Sequence, residues 1–169
     1  DGPTIQLSSE RALASGTDLE KIIAMVRSVR SRSQIPIILM GYLNPVFCYG
    51  YERFAIDAVE AGIDGVLLVD MPPEESGAFL KSANRHGLNT IFLLTPTSDP
   101  ARMKEVARVG RGFVYYVTVT GVTGARSEVS ESLETELSAV RKAIRIPIVA
   151  GFGISTPEQA ATVSPHADG

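Results

Sequence analysis

The 169-residue chain contains no tryptophan, a single cysteine and only two histidines. A lone Cys48 cannot close an internal disulfide and sits in no metal-ligand spacing, which excludes a disulfide-stapled scaffold and points to a reducing compartment. It is expected to pack, not to react. His86 and His166 have no Ser, Cys or ligand-type neighbour in sequence, so both are expected to be solvated. An excess of positive charge is also lacking: the formal net charge is -3, which offers no basic surface to a phosphate backbone. The densest basic stretch, residues 27–32, falls at a helix exit, where cations suit the dipole. Long hydrophobic runs are missing as well. The longest, residues 35–43, is too short to span a bilayer, and no charged-then-apolar leader opens the chain, so a soluble, cytoplasmic protein is expected. Neither G-x-G-x-x-G nor G-x-x-x-x-G-K-[ST] occurs, which removes the usual nucleotide-binding turns.

What is present is 44% hydrophobic and 21% charged residues, enough for one core and a single, partial domain over residues 1–169. Short aliphatic runs alternate with longer amphipathic segments throughout. Strands are predicted at 35–42, 65–70, 90–95, 113–118 and 146–151. Their apolar positions are nearly continuous, as strands covered on both faces require, so the sheet should be parallel. Helices are predicted at 18–30 behind a Thr17 cap, and at 51–60, 74–86, 99–109, 132–144 and 157–163. Pro73, Ser98-Asp99-Pro100 and Thr156-Pro157 mark helix starts, and Gly62, Gly87 and Gly110 mark ends. The chain opens without Met and closes on Ala167-Asp168-Gly169, a phrase like the Gly62-Ile63-Asp64-Gly65 that introduces a strand. Truncation at both ends is therefore expected, with a further strand after Gly169.

This alternation fits an open doubly wound sheet or a closed barrel. Polar and glycine-rich residues follow several different strands, at 42–44, 70–72, 121–124 and 151–155, instead of clustering after the first. A barrel builds one site from many such loops. The fold class expected is α/β, a (β/α)8 TIM barrel incomplete here, with strands one, two and eight missing.

Two glycine pairs follow the late strands: Gly121-Val122-Thr123-Gly124 and Gly151-Phe152-Gly153-Ile154-Ser155. Glycines let backbone N–H groups converge on a phosphate, and Ser155-Thr156-Pro157 opens a helix whose N-terminus favours an anion. Tight turns with no ligand would show the same residues singly; two pairs in succession favour phosphate. Asp70 ends a strand and either functions there or braces a loop. Asp1-Gly2-Pro3-Thr4 reads as a turn entering a short helix. Phe47, Tyr49, Tyr51 and Phe54 read as packing.

In order and spacing, Asp1-Gly2-Pro3-Thr4-Ile5-Gln6, Ile35-Pro36-Ile37-Ile38-Leu39-Met40-Gly41-Tyr42 with Asn44-Pro45, Asp70-Met71-Pro72-Pro73-Glu74-Glu75, Thr120-Gly121-Val122-Thr123-Gly124 and Gly151-Phe152-Gly153-Ile154-Ser155 closely resemble the alpha subunit of tryptophan synthase. The resemblance implies a lyase of tryptophan biosynthesis that cleaves indole-3-glycerol phosphate to indole and glyceraldehyde 3-phosphate. It implies no cofactor or metal of its own, pyridoxal phosphate belonging to a beta partner in an alpha2-beta2 heterotetramer. It further implies that Asp1 contacts the indole N–H, Thr123 holds that aspartate, and Tyr115 lies below the reacting carbon. Gly121 would permit loop closure, and Gly124 and Gly153 would bind phosphate. Met40, Tyr42, Leu67, Val69 and Phe152 would wall the indole pocket, while Asn44, Phe47 and Pro72 would meet the partner.

The family's general acid/base is a glutamate on the strand before the Asp-Gly-Pro loop. That strand would precede residue 1, so this stretch alone is expected to cleave almost nothing. A barrel isomerase or epimerase of sugar phosphates is an alternative, as is a non-catalytic module that only regulates a beta subunit. The first usually shows a metal-binding His/Asp set or a Lys or Cys base at strand ends, none of which stands out here.

Overall fold

The computed structural model describes residues 2–118 and 132–169, with the backbone alone at Ser132. In chain order the described elements are α1 (Pro3–Ala14), α2 (Leu19–Arg30), β1 (Ile38–Gly41), α3 (Leu43–Tyr49), α4 (Tyr51–Ala61), β2 (Gly65–Leu68), a 3-10 turn (Pro73–Glu75), α5 (Gly77–His86), β3 (Asn89–Leu94), α6 (Pro100–Val109), β4 (Val114–Val117), α7 (Ser132–Ala143), β5 (Ile148–Gly151) and α8 (Pro157–Val163). No described helix is long and apolar enough to cross a membrane.

All neighbouring strands are parallel, and their spatial order is β1-β2-β3-β4-β5. That order decides between the two architectures. A doubly wound sheet reverses direction at a switch point, whereas a barrel adds each strand beside the last. The five strands are an arc of a (β/α) barrel, as expected from the sequence. Residues 168 and 169 extend the arc: Asp168 N donates to Ile148 O at 2.8 Å and Ala150 N to Gly169 O at 2.9 Å, along the free edge of β5. The Asp168-Gly169 phrase thus begins strand-like pairing, as its likeness to Asp64-Gly65 suggests.

The two faces of the arc bury different side chains. Val66, Leu68, Phe92, Leu94, Val114, Tyr116 and Ile148 join Phe54, Phe79, Val106 and Leu137 of the helices, and Ile144 just after α7, in one apolar core. The alanines 55, 58, 61 and 83 let α4 and α5 approach closely. Tyr116 keeps a polar tip inside this layer by donating from its hydroxyl to Glu136 Oε2 at 2.8 Å, and burial together with that carboxylate pushes its phenol well above the usual range. The other face would be the barrel interior. There Gly65 makes room for its neighbours, since a Cβ would fall 2.8 Å from Ile91 Cδ1 and 3.1 Å from Ile38 Cδ1.

Strands prove shorter than the apolar runs, because residues 35–37 approach the sheet before pairing begins. Asp18, not Thr17, caps α2, accepting from Lys21 N at 2.8 Å. The helix predicted from 74 begins at Gly77, because residues 73–75 wind as a 3-10 turn first. Gly62 and Gly87 end their helices in the left-handed conformation, at φ 87 and 76, but Gly110 ends α6 in an extended one, at φ -65. Helix α3 was not predicted: residues 42–44 read as a loop. Nor is His86 simply solvated, since its Nε2 lies 2.8 Å from Glu52 Oε1 and its ring is half-buried. Cys48 is exposed on α3 and does not pack.

Candidate active site

Because every strand is parallel, all five C-terminal ends open at one rim, and the loops following them converge there. Register fixes what lies side by side. Met40 pairs with Leu67 and Leu67 with Ile91, while Leu93 pairs with Tyr115 and Tyr115 with Val149. In β4 the pattern alternates: Val114 and Tyr116 are buried toward the helices, and Tyr115 and Val117 are half-buried on the other face. Tyr115 shares that inner face with Gly151, whose missing side chain leaves room for the phenol ring; a Cβ there would fall 2.5 Å from Tyr115 Cζ. Leu67 is buried, Val69 half-buried, and Met40 and Tyr42 are 65% and 51% exposed.

Two pairs of loops are tied together at this rim. Val69 N donates to Gly41 O at 3.0 Å, and Leu43 N donates to Asp70 Oδ1 at 2.7 Å, so the loop after β2 holds the loop after β1. On the far side Thr118 N donates to Gly151 O at 3.0 Å and the Thr118 hydroxyl to Phe152 O, which ties the end of β4 to the turn after β5. That turn is unusual. Phe152 has φ 82, the only positive φ outside glycine among the described residues, and Gly153 follows at φ 76. A non-glycine residue held there costs roughly 1–3 kcal/mol, a strain that accumulates at ligand sites. The Phe152 side chain is 55% exposed.

The start of α8 behaves differently from the sequence expectation. Its capping box joins Thr156 and Gln159, and Gln159 Oε1 accepts from Ser155 N at 2.8 Å and Thr156 N at 3.1 Å. Those two amides are already engaged, so an anion would meet the 152–153 turn before the helix start.

Of the residues singled out in sequence, Asp1, Gly121, Thr123 and Gly124 lie outside the described residues. Met40 stands on β1, Leu67 on β2 and Tyr115 on β4, while Tyr42, Val69 and Phe152 with Gly153 follow β1, β2 and β5 at the same rim. Asn44 and Phe47 are exposed on α3, and half-buried Pro72 stands in the loop after β2. A cleft of about 250 Å³ opens at this rim between Val69, Asp70, Pro72, Leu93 and Arg102. A larger one, about 450 Å³, opens at the opposite end of the strands. The larger cleft is lined by groups already bonded to one another: the Arg30 guanidinium pairs with Asp64, and Asn89 Nδ2 donates to Asp64 O at 2.8 Å. The described residues include no group of three or more His, Cys, Asp or Glu side chains able to hold a metal ion.

Sequence reasoning missed the inter-loop bond of Asp70 and the strained Phe152. Asp70 was visible as a polar residue ending a strand, but its partner lies 27 positions away. The glycine pair flanking Phe152 is visible in sequence, but the positive φ falling on Phe152 itself is not.

The family model for the tryptophan synthase alpha chain matches residues 1–169. The curated tryptophan synthase alpha chain of Pelobacter propionicus is 68% identical over 169 residues, which is 100% of this chain and 63% of that protein. The crystal structure of tryptophan synthase subunit alpha from Legionella pneumophila superposes with a TM-score of 0.87 at 40% identity, covering 100% of this chain and 62% of the other. A chain of the tryptophan synthase α2β2 complex from Pyrococcus furiosus gives a TM-score of 0.89 at 35% identity, covering 99% and 67%. The chain therefore spans about 63% of the length of the curated relative it matches.

Proposed function

Because the chain belongs to the tryptophan synthase alpha chain family, we propose that the longer protein it represents cleaves indole-3-glycerol phosphate to indole and glyceraldehyde 3-phosphate. The observation that carries this reading is the gathering at one rim of Met40 from β1, Leu67 and Val69 from β2 and the loop after it, and Tyr115 from β4, beside the Phe152-Gly153 turn that follows β5. An apolar wall beside glycine-rich backbone suits a substrate with an aromatic bicycle at one end and a phosphate at the other.

In this proposal the indole ring lies against Met40, Tyr42, Leu67, Val69 and Phe152, with Tyr115 beneath the carbon that reacts. The Asp1 carboxylate accepts from the indole N–H. When C3 of the ring gains a proton, positive charge develops at that nitrogen, and a fixed carboxylate stabilises it. The side-chain hydroxyl proton is then removed, the bond from C3 to the glycerol carbon breaks, its electron pair returns to the ring, and a carbonyl forms on the departing triose. Thr123 holds Asp1, Gly121 lets its loop close, and Gly124 with Gly153 binds the phosphate. The acid/base glutamate of the family belongs, on this reading, to the strand before residue 1, so residues 1–169 alone turn over little substrate.

The reaction needs no cofactor of this subunit's own. Asn44, Phe47 and Pro72 form part of a face for a beta subunit that carries pyridoxal phosphate, in an assembly like the α2β2 complex of the Pyrococcus furiosus relative. We place the protein in the cytoplasm. The test is indole release by the complete polypeptide: the wild type releases indole, Asp1→Ala loses at least about 100-fold in kcat/KM, and Thr123→Val loses about tenfold. A wild type that releases none overturns the reading.

A further inference from the structure

Helix α3 begins without a cap of its own. Its N-cap residue, Tyr42, makes no side-chain cap hydrogen bond to the helix. The first helical amide, Leu43 N–H, instead donates at 2.7 Å to Asp70 Oδ1, which stands on the loop after the neighbouring strand. A second bond runs the other way at 3.0 Å, from Val69 N to Gly41 O. Together they lock the loop carrying Tyr42 to the loop carrying Val69. The second loop is itself anchored, because Met71 and Pro73 are buried and Met71 N closes a turn onto Leu68 O at 3.2 Å. The first is anchored from below by Val46, 3% exposed, in the core. Between these anchors the Asp70 side chain holds the chain at Gly41–Tyr42–Leu43 to the loop after β2.

We propose that Asp70 is a positioning residue: by capping α3 from the adjacent loop it sets where Met40 and Tyr42 stand relative to Leu67 and Val69, and so sets the width of the apolar pocket. The inference rests on the reading of this rim as the indole site. It gives Asp70 no contact with the reacting atoms. The acceptor oxygen does the work and the charge does not, so an asparagine with its amide oxygen toward Leu43 serves nearly as well. Losing the bond loosens one wall of a binding pocket, which weakens substrate and transition state alike and raises KM more than it lowers kcat.

The experiment uses the complete polypeptide as wild type, Asp70→Asn and Asp70→Ala, with thermal melts to establish that all three fold. Two readouts are taken. Amide hydrogen exchange across residues 42–50 should quicken about five- to tenfold in Asp70→Ala and stay near wild type in Asp70→Asn. KM for indole-3-glycerol phosphate should rise about five- to tenfold in Asp70→Ala with kcat changed less than threefold, and Asp70→Asn should restore it. Unaltered exchange in Asp70→Ala overturns the inference whatever the activity. So does quickened exchange with an unchanged KM, and so does a kcat that falls as far in Asp70→Asn as in Asp70→Ala, the mark of a carboxylate acting in the chemistry. If the wild type releases no indole yet exchange responds, the functional reading has failed and the tie survives as structure alone.

Discussion

The ring of Tyr115 occupies the space that the absent side chain of Gly151 leaves: a Cβ at Gly151 would fall 2.5 Å from Cζ and 2.8 Å from Cε2 of the tyrosine. Glycine at this step of β5 is therefore a requirement of the neighbouring strand, not of its own backbone. Gly151→Ala forces the half-buried ring aside, which it can do without moving the sheet. Expected is a loss of kcat/KM of about tenfold or more with only about 1–2 kcal/mol of destabilisation. Steady-state kinetics beside a denaturant melt measures both, and an unchanged kcat/KM would remove Tyr115 from the site.

Glu52 on α4 is surrounded by His86, Ser82 and Arg85 of α5, whose hydrogen bonds hold its carboxyl at about 2, well below its ordinary value of 4.5. A folded-state pKa depressed in this way gives stability that is fully present above the unfolded value and is lost as pH falls toward the folded one. The difference in melting temperature between wild type and Glu52→Gln should be constant above about pH 5 and shrink between about pH 4.5 and pH 2. Equal differences at pH 3 and pH 6 would show that Glu52 is not held as described.

The Thr90 hydroxyl on β3 is fully buried and has no hydrogen-bond partner among the described residues. Valine has the same shape without the stranded polar atom, so Thr90→Val is expected to stabilise the protein by about 1 kcal/mol. Chemical denaturation reads this directly; a destabilised variant would mean that the hydroxyl has a partner after all.

Asp64 and Asp168 repeat one arrangement at the N-terminal end of the sheet. Ile37 N donates to Asp64 Oδ2 at 2.7 Å and Ile148 N to Asp168 Oδ2 at 2.8 Å, and each carboxylate also meets an arginine in the last turn of the helix leading into the neighbouring strand: Arg30 of α2 before β1, and Arg141 of α7 before β5. These groups lie opposite the proposed mouth. Asp64→Ala should therefore cost about 1–2 kcal/mol of stability and leave kcat/KM within twofold of wild type. A melt and an activity assay on one preparation separate the two effects, and lost turnover at full stability would move the site.

The barrel was legible because its signals are local and repeated. Each strand run is short, apolar and bounded, each helix has a stripe, and the Asp168-Gly169 phrase announced its pairing with β5 by likeness to Asp64-Gly65. What was missed depends on contacts between distant positions. Helix α3 borrows its cap from Asp70, 27 residues on, so no capping residue precedes it in sequence. His86 is drawn from solvent by Glu52, 34 residues away. The candidate pocket residues Met40, Leu67, Val69 and Tyr115 rest on the family resemblance, and the parallel strand order is the physical reason that β1, β2 and β4 bring them to one rim. The positive φ of Phe152 follows from a turn whose need for strain is invisible in composition.

A crystal structure of the complete polypeptide with indole-3-glycerol phosphate bound would show which end of the strands holds the substrate. The indole ring should lie among Leu67, Val69, Tyr115 and Phe152, with the phosphate at Gly153. A ligand seated instead between Arg30, Asp64 and Asn89, at the other end of the strands, would contradict this placement.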